Sequence, residues 1–100
     1  MASRGRASGR PVVVHTPQCL ERVREGDILI AVETDISFVP AMFRASAIVT
    51  ETGGRWCHAA VWAREHKKPA VIQVESITKA LADVGIVDVD ADSAVVAWEA

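Results

Sequence analysis

Apolar positions along the chain fall into short β-branched runs separated by turn signals and by stretches of helical spacing. Val12 to Val14 reads as a first strand. Thr16 can cap a helical turn opened by Pro17, with Leu20 and Val23 three apart on one face and an end near Gly26. Asp27 to Val32 is a nearly continuous apolar run, too short for a helix and rich in Ile and Val, as in a strand buried on both faces. Pro40 opens a second short helix through Arg44, and Ala47 to Thr50 forms another buried strand. Gly53 and Gly54 then break the pattern before Cys57 to His66, which combines good helix formers with Lys67 and Lys68 at its end and a stop at Pro69. Pro69 to Val74 predicts a third strand, Ser76 caps a helix through Leu81, and Ile86 to Val89 with Ala94 to Trp98 form a closing pair of strands around an acidic turn. The whole is an alternation of strands and helices without internal repeats or a linker.

Length sets the scale of that picture. A chain of 100 residues is one domain's worth and buries only about two-thirds of the surface its unfolded form exposes. Half of its residues are hydrophobic and 24 % are charged, the balance of a globular domain with a packed core. No apolar run approaches the roughly 20 residues that span a bilayer, and the arginine-bearing start lacks the apolar segment of a signal peptide, so a cytoplasmic location is expected. Cys19 and Cys57 have neither metal-ligand spacing nor a disulfide framework; both are expected as reduced thiols, with no structural metal site.

Charge divides the chain in two. Arg4, Arg6 and Arg10 sit in a stretch without acids, read as a flexible basic tail over residues 1–10, while residues 11–100 form the domain. From Pro11 onward eight basic residues face thirteen acidic ones, which argues against a nucleic-acid-binding face.

The chemistry concentrates in Thr50-Glu51-Thr52-Gly53-Gly54-Arg55-Trp56-Cys57-His58, where a glycine turn enters the best helix. The first backbone N–H groups of a helix lack intrahelical partners and the dipole there is positive, so an anion beside His58 would meet free donors. The small side chains of Ala59, Ala60 and Ala63 let the helix lie close on a sheet. A neutral imidazole can attack phosphorus, and the resulting phosphohistidine is an anion that such a site stabilises. A lone histidine at a helix start is more often a capping or packing residue, so the residues alone leave both readings open. A Cys57 thiolate nucleophile is the rival chemistry, without a recognisable base.

Residues 48–74 resemble the signature of the phosphohistidine swivelling domain of phosphoenolpyruvate-utilising enzymes, the family of pyruvate phosphate dikinase, phosphoenolpyruvate synthase and rifampicin phosphotransferase. The positions in register are Gly53-Gly54, Cys57 at the family's Ser/Cys site, His58 at its phosphoacceptor, Ala60, Ala63-Arg64-Glu65 and Pro69-Ala70. Weaker similarity covers Ala7-Ser8-Gly9, Gly26 to Leu29 and Val87 to Asp90. Trp56 stands where the family has a smaller side chain, and Gln73 where it has a glycine.

The resemblance implies a three-layer swivelling β/β/α domain with a mostly parallel central sheet. His58 would be the catalytic residue, with Gly53, Gly54 and Cys57 binding the phosphoryl group. It also implies a phosphoryl carrier, not a complete enzyme, that works between nucleotide-binding and phosphoenolpyruvate/pyruvate-binding domains on partner chains. Mg²⁺ and nucleotide are expected only on those partners, and no cofactor or metal in this chain. Met1 favours a stand-alone carrier over an excised piece. The rival reading is a non-catalytic binding or assembly module that keeps the fold, with Trp56 as a docking anchor. His15 and His66 are expected at the surface, Trp62 in the core, and Arg64 on a different helix face from His58.

Overall fold

A computed structural model describes residues 5–15, 17–34, 36–53, 57–80, 85–93 and 95–98. Its centre is a four-stranded, wholly parallel sheet in the order β2 (Pro11–Val14), β3 (Ile28–Ala31), β4 (Ala47–Thr50), β5 (Ala70–Val71). A second, antiparallel sheet has the order β1 (Arg6–Gly9), β6 (Val87–Asp90), β7 (Val95–Trp98). Among the described residues the two sheets, with three α-helices and two 3-10 turns, make a mixed α/β fold. No helix among the described residues is long and apolar enough to cross a membrane.

Strand periodicity divides the core. Side chains alternate between sheet faces, so Leu29, Ala31 and Ile48 join one apolar cluster with Met42, Ala60 and Trp62 from the helices. Ile28, Ile30, Ala47 and Val49 face the other way, into a cluster with Val87 and Val89 of the antiparallel sheet. This two-sided burial explains why β3 and β4 read as continuous apolar runs. The strand ends are in register across the sheet, with Ala31 opposite Thr50.

The helices follow the sequence with adjustments. The turn opened by Pro17 is a 3-10 helix, Pro17–Arg22. A 3-10 turn, Ile36–Phe38, runs into α1 (Val39–Arg44), whose Pro40 lies in its first turn, where a missing N–H costs nothing. Helix α2 (His58–His66) ends at Lys67 in the left-handed conformation, φ 55°. Its Ala60 and Ala63 are fully buried, which lets the helix backbone approach the sheet. Trp62 is buried, with the Phe43 ring edge-on at 5.0 Å and the exposed His66 ring stacked at 4.2 Å. His15 is also exposed.

Two expectations are corrected. Within the stretch read as a flexible tail, Arg6–Gly9 is strand β1, paired antiparallel with β6 from Arg6–Asp90 to Gly9–Val87. Backbone pairing onto an open sheet edge leaves little trace in composition, and Arg6 and Arg10 are ion-paired to Asp90 at 3.6 Å and Asp27 at 2.8 Å. Residues 1–4 lie outside the described set. The strand expected over Pro69 to Val74 shrinks to Ala70–Val71, because Gln73 turns the chain at φ 61°. Val74 N–H instead donates to the Thr50 carbonyl at 3.0 Å. The helix from Ser76 is α3 (Ile77–Ala80), and Ser76 itself sits at φ 60°. Leu81 and Asp83 lie outside the described residues.

Candidate active site at the start of helix α2

The carboxyl ends of adjacent parallel strands lie side by side, so the loops that follow them meet. After β4 the backbone continues along β3: Glu51 N–H donates to the Ala31 carbonyl and Thr52 N–H to the Val32 carbonyl, each at 3.0 Å. The Thr52 hydroxyl donates to the same Val32 carbonyl at 3.0 Å, and the buried Thr50 hydroxyl to the Thr52 carbonyl at 2.7 Å. These bonds fix the path of Thr50 to Gly53, the turn that precedes α2.

Gly53 is required there on two counts. Its φ of 124° is a conformation that L side chains rarely adopt, and a Cβ would lie 2.8 Å from Cys57 Sγ. Cys57 is the N-cap of α2, extended at φ −67° and ψ 160°, and its carbonyl accepts from Val61 N–H at 3.0 Å. Its thiol makes no capping hydrogen bond, so the first N–H groups of α2 have no side-chain cap from it. No acidic residue occupies the first turn.

His58 is the first residue of α2 and is half-buried. Its Nδ1 lies 3.0 Å from the Thr34 hydroxyl oxygen, and Thr34 belongs to the loop after β3. The ring borders a cleft of about 140 Å³, lined by Glu33, Thr34, Thr50, Thr52, Gly53, Cys57, His58 and Ala59. Three of the predicted site residues, Gly53, Cys57 and His58, are therefore brought together. Gly54, Arg55 and Trp56 lie outside the described residues. Arg64 is exposed and is not among the cleft's lining residues.

Sequence reasoning missed Thr34 and Glu33, and it placed Thr50 and Thr52 in the stretch leading to α2 without giving them a site role. Their one signal was position: each sits at or just past the carboxyl end of a predicted parallel strand. Glu51 points elsewhere. Its carboxylate accepts from Thr78 N–H at 2.9 Å and from the Thr78 hydroxyl, and these two bonds hold its pKa below the ordinary value. Partial burial opposes that shift, while the charges of Lys79 and His15 add to it. Among the described residues no group of three or more His, Cys, Asp or Glu side chains is placed to hold a metal ion.

Comparison with known proteins gives a consistent result. The family model of the PEP-utilising enzyme, mobile domain, matches residues 23–94. A probable phosphoenolpyruvate synthase of Archaeoglobus fulgidus is 45 % identical over 95 residues, covering 95 % of this chain and 13 % of that protein. The phosphoenolpyruvate synthase of Pyrococcus furiosus is 45 % identical over 89 residues, covering 89 % of this chain and 11 % of that protein. Among solved structures, an NMR solution structure of Enzyme I is similar with a TM-score of 0.65 and 26 % identity, over 80 % of this chain and 33 % of that one. The chain thus spans only a small part of the length of these relatives.

Proposed function

The chain belongs to the family of PEP-utilising enzyme mobile domains, and from that premise we propose that it carries a phosphoryl group on His58. The observation that carries the reading is the placement of His58 at the first position of α2, with Nδ1 held by Thr34 on the border of a small cleft. Thr34 Oγ can accept from Nδ1–H, which puts the lone pair on Nε2. Nε2 then attacks phosphorus: the N–P bond forms as the bond from phosphorus to the donor oxygen breaks, and its electron pair leaves with that oxygen. The proton on Nδ1 stays on the ring beside Thr34. The positive end of α2 and the N–H groups after Cys57 favour the anionic product.

A cleft of about 140 Å³ accommodates the transferred group but not a nucleotide, so the donor is presented from outside. We assign that presentation to nucleotide-binding and phosphoenolpyruvate/pyruvate-binding domains, which also hold any Mg²⁺. The phosphoenolpyruvate synthases that this chain matches are several times its length, which leaves room for such domains in them. The split of the apolar core between a helix side and a second sheet supports a three-layer β/β/α swivelling arrangement.

The test supplies phosphoenolpyruvate and a phosphoenolpyruvate synthase whose own mobile-domain histidine has been replaced. The expected result is acid-labile, base-stable phosphate on this chain and none on His58→Ala. Equal labelling of His58→Ala overturns the assignment. A folded wild-type chain that binds the synthase yet takes no label supports the non-catalytic module instead.

A further inference from the structure

We infer that Glu51 is a positioning residue for His58, acting through its fastening to Thr78 on the opposite face of the sheet; this rests on the phosphocarrier reading above. The turn from β4 into α2 alternates like a strand: Thr50 and Thr52 line the His58 cleft, and Glu51 between them does not. Its carboxylate crosses instead to the first turn of α3, where it takes both Thr78 N–H at 2.9 Å and the Thr78 hydroxyl. Thr78 is itself buried, at 6 % exposure, and its neighbour Ile77 belongs to the apolar cluster beneath the sheet. The bond therefore ties Glu51 to a residue packed into the core.

The consequence reaches the site through the backbone. Gly53 lies two residues beyond Glu51, close enough to the start of α2 that an added Cβ would lie 2.8 Å from Cys57 Sγ, so a displaced turn changes that approach. The segment that carries Thr78 is tied to the same turn a second time, by Val74 N–H on the Thr50 carbonyl at 3.0 Å. Glu51 therefore holds the floor under His58 from behind. Its acceptor oxygen is what the device needs, more than its charge. A side chain that accepts from Thr78 N–H without the charge should keep the geometry.

The test uses the chain alone with phosphoramidate, a small donor that phosphorylates imidazoles without a partner domain. Labelling is followed by ³¹P NMR, alongside the amide signal of Gly53 and the ring nitrogens of His58. Glu51→Ala should displace the Gly53 signal and slow His58 labelling by about tenfold, the scale of a sub-ångström misplacement. Glu51→Gln should restore both to near the wild-type values. If Glu51→Ala does not fold, Thr78→Val carries the test, since it keeps the amide donor and removes only the hydroxyl, with Thr78→Ser as its rescue. Unchanged labelling and an unmoved Gly53 signal in Glu51→Ala overturn the inference, as does equal loss in Glu51→Ala and Glu51→Gln. His58→Ala is run in parallel. The exposed His15 and His66 also accept from phosphoramidate, so the His58 signal is the one absent from His58→Ala. A phosphohistidine spectrum unchanged in His58→Ala sinks the phosphocarrier reading, whereas a signal lost there and unaltered in Glu51→Ala sinks only the role of Glu51.

Discussion

The two ends of the parallel sheet treat their polar groups differently. At the amino end, where helices finish and strands begin, long cations close off carbonyls: Arg44 donates to the Val23 and Leu20 carbonyls, and Lys68 to the Phe43 and Ala45 carbonyls. The Asp27 carboxylate is enclosed by Arg10 at 2.8 Å and the Arg24 amide at 2.9 Å. At the carboxyl end the histidine ring has one partner among the described residues, and the start of α2 has no side-chain cap from Cys57. One end satisfies its groups within the fold, and the other keeps donors and a ring nitrogen available. Stability and chemistry should therefore separate by end, and substitutions can break that separation or sharpen it.

The largest effect is expected at Gly9, where β1 passes the start of β3. A Cβ there would lie 2.3 Å from the Gly26 carbonyl oxygen, a backbone atom that cannot swing aside. Gly9→Ala should cost about 3 kcal/mol, at the upper end for overpacking. The midpoint of urea unfolding measures it; a loss below about 1 kcal/mol would mean that β1 slides off cheaply and does not hold the amino end. Asp27 comes next. Burial pushes its carboxyl up, but the Arg10 hydrogen bond, the Arg24 amide and both guanidinium charges outweigh that, and its pKa is held below the ordinary value. Asp27→Asn should cost about 2 kcal/mol at neutral pH, the worth of hydrogen bonds to a charged group. A depressed folded pKa contributes stability above the unfolded pKa of about 3.9, and that contribution is lost as pH falls through the folded value. The stability curves of wild type and Asp27→Asn should accordingly converge below about pH 4. Parallel curves down to acid pH would show that the carboxylate is not the stabilising group. Neither amino-end change should slow labelling of His58 in the folded protein.

At the carboxyl end the order reverses. Thr34→Val removes the partner of Nδ1 from a half-buried ring, which should cost under about 1 kcal/mol of stability. It should also slow phosphoramidate labelling by about tenfold, because the ring loses the contact that fixes its tautomer and orientation. Ring ¹⁵N shifts of His58 report the tautomer directly. A variant with wild-type shifts and wild-type labelling would remove Thr34 from the site.

How much of this was legible in the sequence follows the same division. The buried strands Ile28–Ala31 and Ala47–Thr50 were plain because apolar runs on both faces leave no other reading, and α2 because glycines precede it and Pro69 follows. His58, Cys57 and Gly53 were proposed together because they are contiguous with that helix start. Thr34 was not, since 24 positions separate it from His58 and only the parallel register of β3 and β4 brings them together. The strand Arg6–Gly9 was hidden because its pairing is backbone to backbone, and its arginines suggested solvent when two of them in fact meet Asp90 and Asp27.

Gln73 offers the smallest effect and a sharp one. It follows β5 at the carboxyl end, at φ 61°, a backbone conformation that costs a residue with a Cβ about 1 kcal/mol. β5 has ended at Val71 just before it, and the turn lets Val74 reach the Thr50 carbonyl beneath the site. Gln73→Gly removes the steric cost but adds freedom to the unfolded chain, worth roughly 0.5–1 kcal/mol in the other direction. The net gain should be no more than about 0.5 kcal/mol. Gln73→Val, β-branched and poorly suited to positive φ, should lose about 1 kcal/mol or more at the same position. The sign difference between the two is the informative quantity, because both variants remove the amide and only one removes the Cβ. If both destabilise equally, the Gln73 side chain itself holds the turn, and the local conformation is not what sets its stability. If they separate as expected while His58 labelling stays constant, the turn tolerates relief of strain without moving the site. Both ties to the turn, Val74 N–H on the Thr50 carbonyl and Glu51 on Thr78, then hold without the Gln73 side chain.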